Sequence, residues 1–102
     1  AVKAEEISRI NAAGGNLGSH AQGVDPSELR KAIAYGVCKV NIATDLRLIW
    51  TRVHREFFRD HPDRFDPVIP GKEYVSTIET YMLEKFDLLG STGQVKSFYP
   101  KL

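Results

Sequence analysis

The sequence predicts an α/β fold of which this chain forms only a part, with one β-strand among four helices. Apolar residues recur at helical spacing in four segments, whereas only residues 37–42 have the alternation and β-branched composition of a strand. A lone strand cannot form a sheet, so we expect the chain to be one piece of a larger fold. The order helix, helix, strand, helix, helix is typical of the closing section of a barrel or of a doubly wound sheet.

The first helix is predicted over residues 3–13, because Ile7 and Ile10 lie one turn apart and a Gly-Gly pair follows. A turn-rich loop occupies residues 16–24. The second helix is predicted to begin after Asp25 as its N-cap, with Pro26 at the first helical position.

That second helix has Glu28 placed for a capping box, and it should end at Gly36. Its predicted buried residues are Leu29, Ala32 and Ile33. In the strand that follows, alternation places one set of side chains against helices and the other set in the interior of a sheet or barrel. The first set is Cys38, Val40 and Ile42, and the second is Val37, Lys39 and Asn41. We therefore expect Cys38 to be a buried, small apolar residue.

The third helix should be capped by Thr44 or Asp45 and end near Asp60. Its predicted apolar stripe has spacings of three and four residues. The stripe consists of Leu46, Ile49, Trp50, Val53 and Phe57, with Arg47, Arg52, Arg55 and Glu56 on other faces.

A proline-rich loop over residues 62–71 should be anchored by burial of Phe65. The last helix is predicted over residues 72–89 and ends before Gly90, which suits a left-handed position. Its predicted stripe is Val75, Ile78, Met82, Phe86 and Leu89. Phe98 and Tyr99 suggest that the tail docks on the rest of the chain.

Composition narrows the classes of function. The 102 residues carry a formal net charge of +1, which argues against a nucleic-acid-binding arm or a polybasic membrane segment. No apolar run is long enough to cross a bilayer, and no leader pattern opens the sequence. The single cysteine cannot form an internal disulfide. We therefore expect a cytoplasmic protein.

The end of the strand carries the chemistry. Asn41 is its last inward-facing residue, and Thr44 stands where the next helix begins. The unpaired N–H groups and positive dipole of a helix N-terminus attract phosphate, and a hydroxyl and an amide would assist. The alternative is purely structural, since Thr44 and Asp45 are also ordinary helix caps.

Four landmarks resemble class II, metal-dependent fructose-1,6-bisphosphate aldolases (ketose-bisphosphate aldolases). Residues 36–47 resemble their eighth strand and the following turn, and residues 23–26 their Gly-Val-Pro turn. Residues 61–67 resemble their Asn/His-Pro-x-x-Phe-Asp-Pro loop, and residues 90–94 their Gly-Ser/Thr-Ala-Gly segment. The resemblance implies that residues 1–102 are the C-terminal part of a TIM (β/α)8 barrel.

Within that barrel, residues 1–24 would form an extra helix and loop, and residues 25–60 a helix, the last strand and the last barrel helix. Residues 61–102 would form a loop, the terminal helix and the tail. The resemblance also implies partners, namely the rest of the barrel, a second subunit of a dimer or larger homo-oligomer, and a phosphorylated sugar. It implies no nucleic-acid or membrane partner.

The implied activity is that of a lyase of glycolysis and gluconeogenesis, which reversibly cleaves fructose 1,6-bisphosphate to dihydroxyacetone phosphate and glyceraldehyde 3-phosphate. Asn41, Ala43 and Thr44 would bind the phosphate of dihydroxyacetone phosphate. Ala43 departs from the usual aspartate and resembles the turn of tagatose-bisphosphate aldolases, which is the alternative activity. Lys85 would take the place of an arginine that binds a second phosphate in a neighbouring subunit, or would be a solvated helix lysine.

The resemblance further implies a divalent metal, usually zinc (Zn2+), with its ligands mainly outside this segment. His20 is a candidate ligand in one alignment; in the other, the metal histidine lies upstream of Ala1. His54 and His61 are expected to be solvated. No catalytic residue is expected in this segment, so the chain alone should be inactive. Rival functions are a non-catalytic helical interaction module and phosphate binding without catalysis.

Overall fold

The computed structural model describes residues 2–99, and the side chains of residues 4–99. Five helices follow one another: α1 (Val2–Ala12), α2 (Pro26–Ala34), α3 (Thr44–Asp60), α4 (Val68–Leu89) and α5 (Val95–Phe98). The described residues contain no β-strand. The predicted helices are thus present, and the predicted strand is not formed within this chain.

Residues 37–43 link α2 to α3 without regular secondary structure. The prediction of a strand at residues 37–42 is wrong for the isolated chain, because the described segment has no second strand with which to exchange ladder hydrogen bonds. Val40 and Ile42 are half-buried, as the predicted alternation requires. Cys38 belongs to the same predicted face but is exposed, contrary to expectation.

Helix α3 lies at the centre of the structure, with α1 and α4 packed against it, and α2 contacts α4. Ile7, Ile10 and Leu48 form a buried cluster between α1 and α3, against which Leu17 and Ala21 pack. Further along α3, the buried apolar residues are Ile49, Val53 and Phe57.

The molecule is a thin slab that measures 52 × 33 × 16 Å. Its radius of gyration is 16.6 Å, whereas a compact domain of about 100 residues has a radius near 13 Å. The helices therefore form a single layer, and a second layer of structure does not cover them within the described residues.

Two helix starts can be compared with their predictions. Asp25 caps α2 as expected, because its carboxylate accepts a hydrogen bond of 2.8 Å from the backbone N–H of Ser27. The predicted cap of α3 is wrong: Ala43 is the N-cap, and no side chain caps this end. Thr44 and Asp45 lie inside the first turn instead.

Helix α4 begins at Val68, earlier than predicted. The Asp66 carboxylate accepts a hydrogen bond of 2.8 Å from the Val68 N–H, and Pro70 falls in the first turn, where its missing N–H costs no helical bond. At the other end, Gly90 adopts the predicted left-handed conformation with φ 73°.

The predicted buried face of α4 is wrong in part. Val75 is 65% exposed and Phe86 43% exposed, because α4 turns the face with Tyr81 and Lys85 towards α3. The other three residues of the predicted stripe are half-buried.

Three other aromatic residues that the sequence predicts to be packed against the chain are exposed. Phe65 is 91% exposed and does not anchor its loop, and Phe98 and Tyr99 are exposed rather than docked. Trp50 is half-exposed and stacks on His54, with 4.2 Å between ring centroids. In the described part of the chain, no helix is both long enough and apolar enough to cross a membrane.

Candidate functional site

A buried carboxylate joins the start of α3 to the middle of α4. Asp45, the second residue of α3, is 8% exposed. Its Oδ2 accepts a hydrogen bond from the Tyr81 hydroxyl and lies 3.5 Å from the Lys85 Nζ. The Lys85 ammonium also lies 5.2 Å from the centroid of the Tyr81 ring. Asp45, Tyr81 and Lys85, called the Asp45 cluster below, fix how α4 packs on the N-terminus of α3.

The protonation of Tyr81 reflects this environment. Burial raises the pKa of Tyr81 above its ordinary value, and the hydrogen bond to Asp45 and the negative charge of Asp45 raise it further. Tyr81 therefore remains a neutral hydrogen-bond donor to Asp45 at physiological pH.

The Asp45 cluster lines one wall of a cleft of about 570 Å3 between the first four helices. The wall also includes apolar side chains of α3 and α4, namely Leu48, Ile49 and Leu88. The lining also carries charged side chains: Glu84 and Asp87 of α4, together with Glu6, Asp25 and Arg30 from outside α3 and α4.

The predicted phosphate-binding residues lie beside this cluster, at the exposed start of α3. Asn41, Ala43 and Thr44 are all exposed. The first helical hydrogen bond runs from the Arg47 N–H to the Ala43 carbonyl, at 3.0 Å. In an α-helix the N–H groups before that bond have no helical acceptor, so the turn presents donors of the kind that bind phosphate.

Sequence reasoning missed a second polar cluster, which joins α1 to α3. Arg52, predicted on a polar face, is 5% exposed and pairs with Glu6. Arg9 makes two hydrogen bonds of 2.7 Å to the Glu56 carboxylate, which also pairs with Arg52 at 3.2 Å. The position of Arg52 in the sequence could have indicated its burial. Arg52 directly precedes Val53 and lies one turn beyond Ile49, and both of these residues belong to the apolar stripe.

The comparisons with known proteins bear on this arrangement. The family model described as class-II fructose-bisphosphate aldolase matches residues 4–94. The chain belongs to this family. All four landmark segments lie within the matched residues, so the resemblance found from the sequence is confirmed.

Individual aldolases show the same relationship. The chain is 38% identical over 97 residues to a fructose-bisphosphate aldolase of Thermus caldophilus, which covers 92% of the chain and 30% of that protein. It is 35% identical over 99 residues to the enzyme of Stutzerimonas stutzeri, which covers 97% of the chain and 28% of that protein. The D-tagatose-1,6-bisphosphate aldolase subunit GatY of Klebsiella oxytoca is 30% identical over 69 residues, 68% of the chain and 24% of that protein. The chain thus spans less than a third of the length of these relatives.

The aldolase resemblance suggested Lys85 as a ligand of a second phosphate. Lys85 is 7% exposed, so the alternative of a solvated helix lysine is wrong. Binding a phosphate of a neighbouring subunit stays a prediction, and it would require the amine to leave Asp45.

The metal implied for aldolases does not fit the described residues. Residues 2–99 bring together no group of three or more His, Cys, Asp or Glu side chains that could hold a metal ion. His20 lies on an exposed turn. The His54 ring stacks on Trp50, and the His61 ring lies 5.0 Å from that of Phe57. A zinc ligand set for this family member would therefore need residues from elsewhere.

Proposed function

We propose that this chain supplies the phosphate-binding turn of a class II aldolase that reversibly cleaves fructose 1,6-bisphosphate to dihydroxyacetone phosphate and glyceraldehyde 3-phosphate. The observation that carries the proposal is the family match over residues 4–94, which includes the exposed turn at Asn41, Ala43 and Thr44. The chemistry of that turn supports the assignment, because it offers an amide, a hydroxyl and helix N-terminal N–H groups to one anion.

In this proposal the chain binds and orients substrate. The Asn41 amide and the Thr44 hydroxyl donate hydrogen bonds to the phosphate of dihydroxyacetone phosphate, and Ala43 contributes its backbone N–H. The positive end of the α3 dipole adds to the attraction. Fixing the phosphate fixes the reacting carbons relative to the rest of the active site. The divalent metal on which the family generally depends, proposed as zinc, would be held mainly by residues outside this segment.

The proposed partners are the rest of a TIM barrel and a second subunit. Residues 37–42 would then become the eighth strand, since neighbouring strands would supply the ladder hydrogen bonds that this chain lacks. The thin single layer of helices and the exposed apolar face of α4 support such a partner. The proposed location, as part of that assembly, is the cytoplasm.

One residue favours a second candidate activity. Ala43 stands where fructose-bisphosphate enzymes usually carry aspartate, and it resembles the turn of tagatose-bisphosphate aldolases. The match to a tagatose-bisphosphate aldolase subunit supports this alternative. Both activities use the same phosphate-binding turn, so the choice concerns the sugar rather than the role of Asn41 and Thr44.

A native purification tests the proposal. A tagged chain is isolated with any polypeptide that accompanies it, the mass of the assembly is measured, and cleavage of fructose and tagatose 1,6-bisphosphates is assayed with added zinc. We expect an assembly larger than the chain, with activity, and no activity from the chain alone. A stable monomer without bound polypeptide or activity would instead support a helical interaction module.

Asn41→Ala provides the residue-level test in the assembled protein. Loss of a hydrogen bond to a charged group should weaken binding of dihydroxyacetone phosphate on the order of 10- to 100-fold. The matched control is Asn16→Ala, because Asn16 is also exposed but lies far from the turn in sequence. Equal affinities of the two variants would remove Asn41 from the site.

A further inference from the structure

A negative charge lies next to the proposed phosphate-binding turn. Asp45 follows Thr44 directly and occupies the first turn of α3. A carboxylate at this position already interacts with the positive end of the helix dipole. Its negative charge also repels a phosphate dianion that binds the same end of the helix. An anion site here therefore requires that the carboxylate be neutralised or directed away.

The structure does both. The Asp45 carboxylate is buried between α3 and α4, where it accepts the Tyr81 hydroxyl and faces the Lys85 ammonium at 3.5 Å. The pair has no net charge. The other charged residues of α4 that line the cleft, Glu84 and Asp87, are acidic, so Lys85 is the cation that α4 presents to Asp45.

We propose that Lys85 and Tyr81 are positioning residues for phosphate binding: Lys85 cancels the charge of Asp45, and Tyr81 holds its carboxylate away from the bound anion. The inference rests on the proposed phosphate role of Asn41 and Thr44. It gives Lys85 a function within its own chain, through Asp45, in place of direct contact with a phosphate. It also explains why a lysine suffices at this position, since cancelling one buried charge does not need a bidentate arginine.

The test compares phosphate affinity between variants that neutralise one or both charges of the Asp45–Lys85 pair. The 15N-labelled chain, purified with any polypeptide that accompanies it, is titrated with dihydroxyacetone phosphate while the Thr44 amide is followed by NMR. Lys85→Met leaves Asp45 charged and should weaken binding on the order of tenfold. The double variant Asp45→Asn/Lys85→Met removes both charges and should bind within about twofold of the wild type.

Lys72→Met is the matched control, because Lys72 lies on the same helix but is exposed; its affinity should not change. Circular dichroism verifies that each variant keeps its helices, and the double variant remains informative if Lys85→Met alone unfolds. Wild-type affinity in Lys85→Met would overturn the inference. So would a double variant as weak as Lys85→Met, which would indicate that Lys85 touches the phosphate itself. Absence of binding by the wild type would overturn the proposed function, and this inference with it.

Discussion

Arg52 of α3 and Glu6 of α1 form an ion pair whose side chains are only 6% and 10% exposed. The pair lies next to the buried cluster of Ile7, Ile10 and Leu48, and it fixes the contact between the two helices. A buried ion pair gains little over apolar packing, but loss of one partner leaves an uncompensated charge in a poorly solvated site.

Arg52→Met should therefore lower the free energy of unfolding by about 3–5 kcal/mol, measured by urea denaturation. Glu6→Leu/Arg52→Met should recover most of that loss, because neither charge of this buried pair remains. The matched control is Arg59→Met, because Arg59 pairs with Asp60 at an exposed site and its loss should leave the free energy of unfolding nearly unchanged. Similar losses in the Arg52 and Arg59 variants would contradict the buried assignment.

Glu56 makes the contact between α1 and α3 sensitive to acid. Burial opposes ionisation of Glu56, but hydrogen bonds and charges from Arg9 and Arg52 hold its pKa below the ordinary value of 4.5. A lowered pKa in the folded state means that Glu56 contributes stability above the unfolded pKa and loses it as the pH falls through the folded value.

Thermal unfolding should therefore show a decline in the melting temperature below about pH 4.5 that is smaller in Glu56→Gln than in the wild type. The exposed Glu73 supplies the control, because Glu73→Gln should leave the acid decline as it is. If Glu56→Gln and the wild type decline in parallel, the arginine contacts do not stabilise the folded state.

Tyr81 should ionise at a higher pH than an ordinary tyrosine. Burial and the Asp45 carboxylate raise its pKa above the ordinary 10.0. By linkage, the stability that Tyr81 provides is complete below pH 10 and is lost as the pH rises towards the folded pKa. Ultraviolet titration should show a tyrosine ionisation step that is delayed beyond pH 10.

The delayed step should be absent in Tyr81→Phe and should persist in the control Tyr35→Phe, at a residue 92% exposed. Tyr81→Phe should also lower the free energy of unfolding by about 1–3 kcal/mol, because Asp45 loses a hydrogen bond in a buried site. Absence of a delayed ionisation step in the wild type would contradict the Asp45 cluster.

The sequence predicts the features of this chain that depend on local chemistry. Helical spacing places Ile7, Ile10 and Val53 in the core, and the cap at Asp25 and the left-handed turn at Gly90 follow from residue type. Four landmark segments suffice to identify the family.

The failed predictions depend on which residues of another element pack against a given side chain. Val75 and Phe86 fit the helical period of α4. The period alone does not say which face of the helix packs against a neighbouring element. Here Tyr81 and Lys85 face α3 instead. Arg52 belongs to a buried site only because Glu6 is opposite it. The strand at residues 37–42 needs hydrogen-bond partners that the described chain does not contain. These are properties of pairs of elements, which a pattern within one element does not encode.

Cys38 can report whether the missing partner strands assemble. The thiol is exposed in the isolated chain, whereas alternation along residues 37–42 places it on the face that packs against helices once a strand forms. A maleimide should therefore label the isolated chain rapidly, and labelling should slow by at least about tenfold in the assembled protein, because reaction then requires local opening.

Cys38 is the single cysteine of the chain, so mass spectrometry of the 102-residue chain reads the modification directly. The control is Cys38→Ser/Ser8→Cys, which moves the thiol to an exposed residue of α1 outside the predicted strand. If both thiols react equally fast in the assembled protein, residues 37–42 are not covered as a strand there. If only Cys38 is protected, its side chain becomes buried on assembly as the alternation predicts, and the isolated chain differs because its ladder partners are missing.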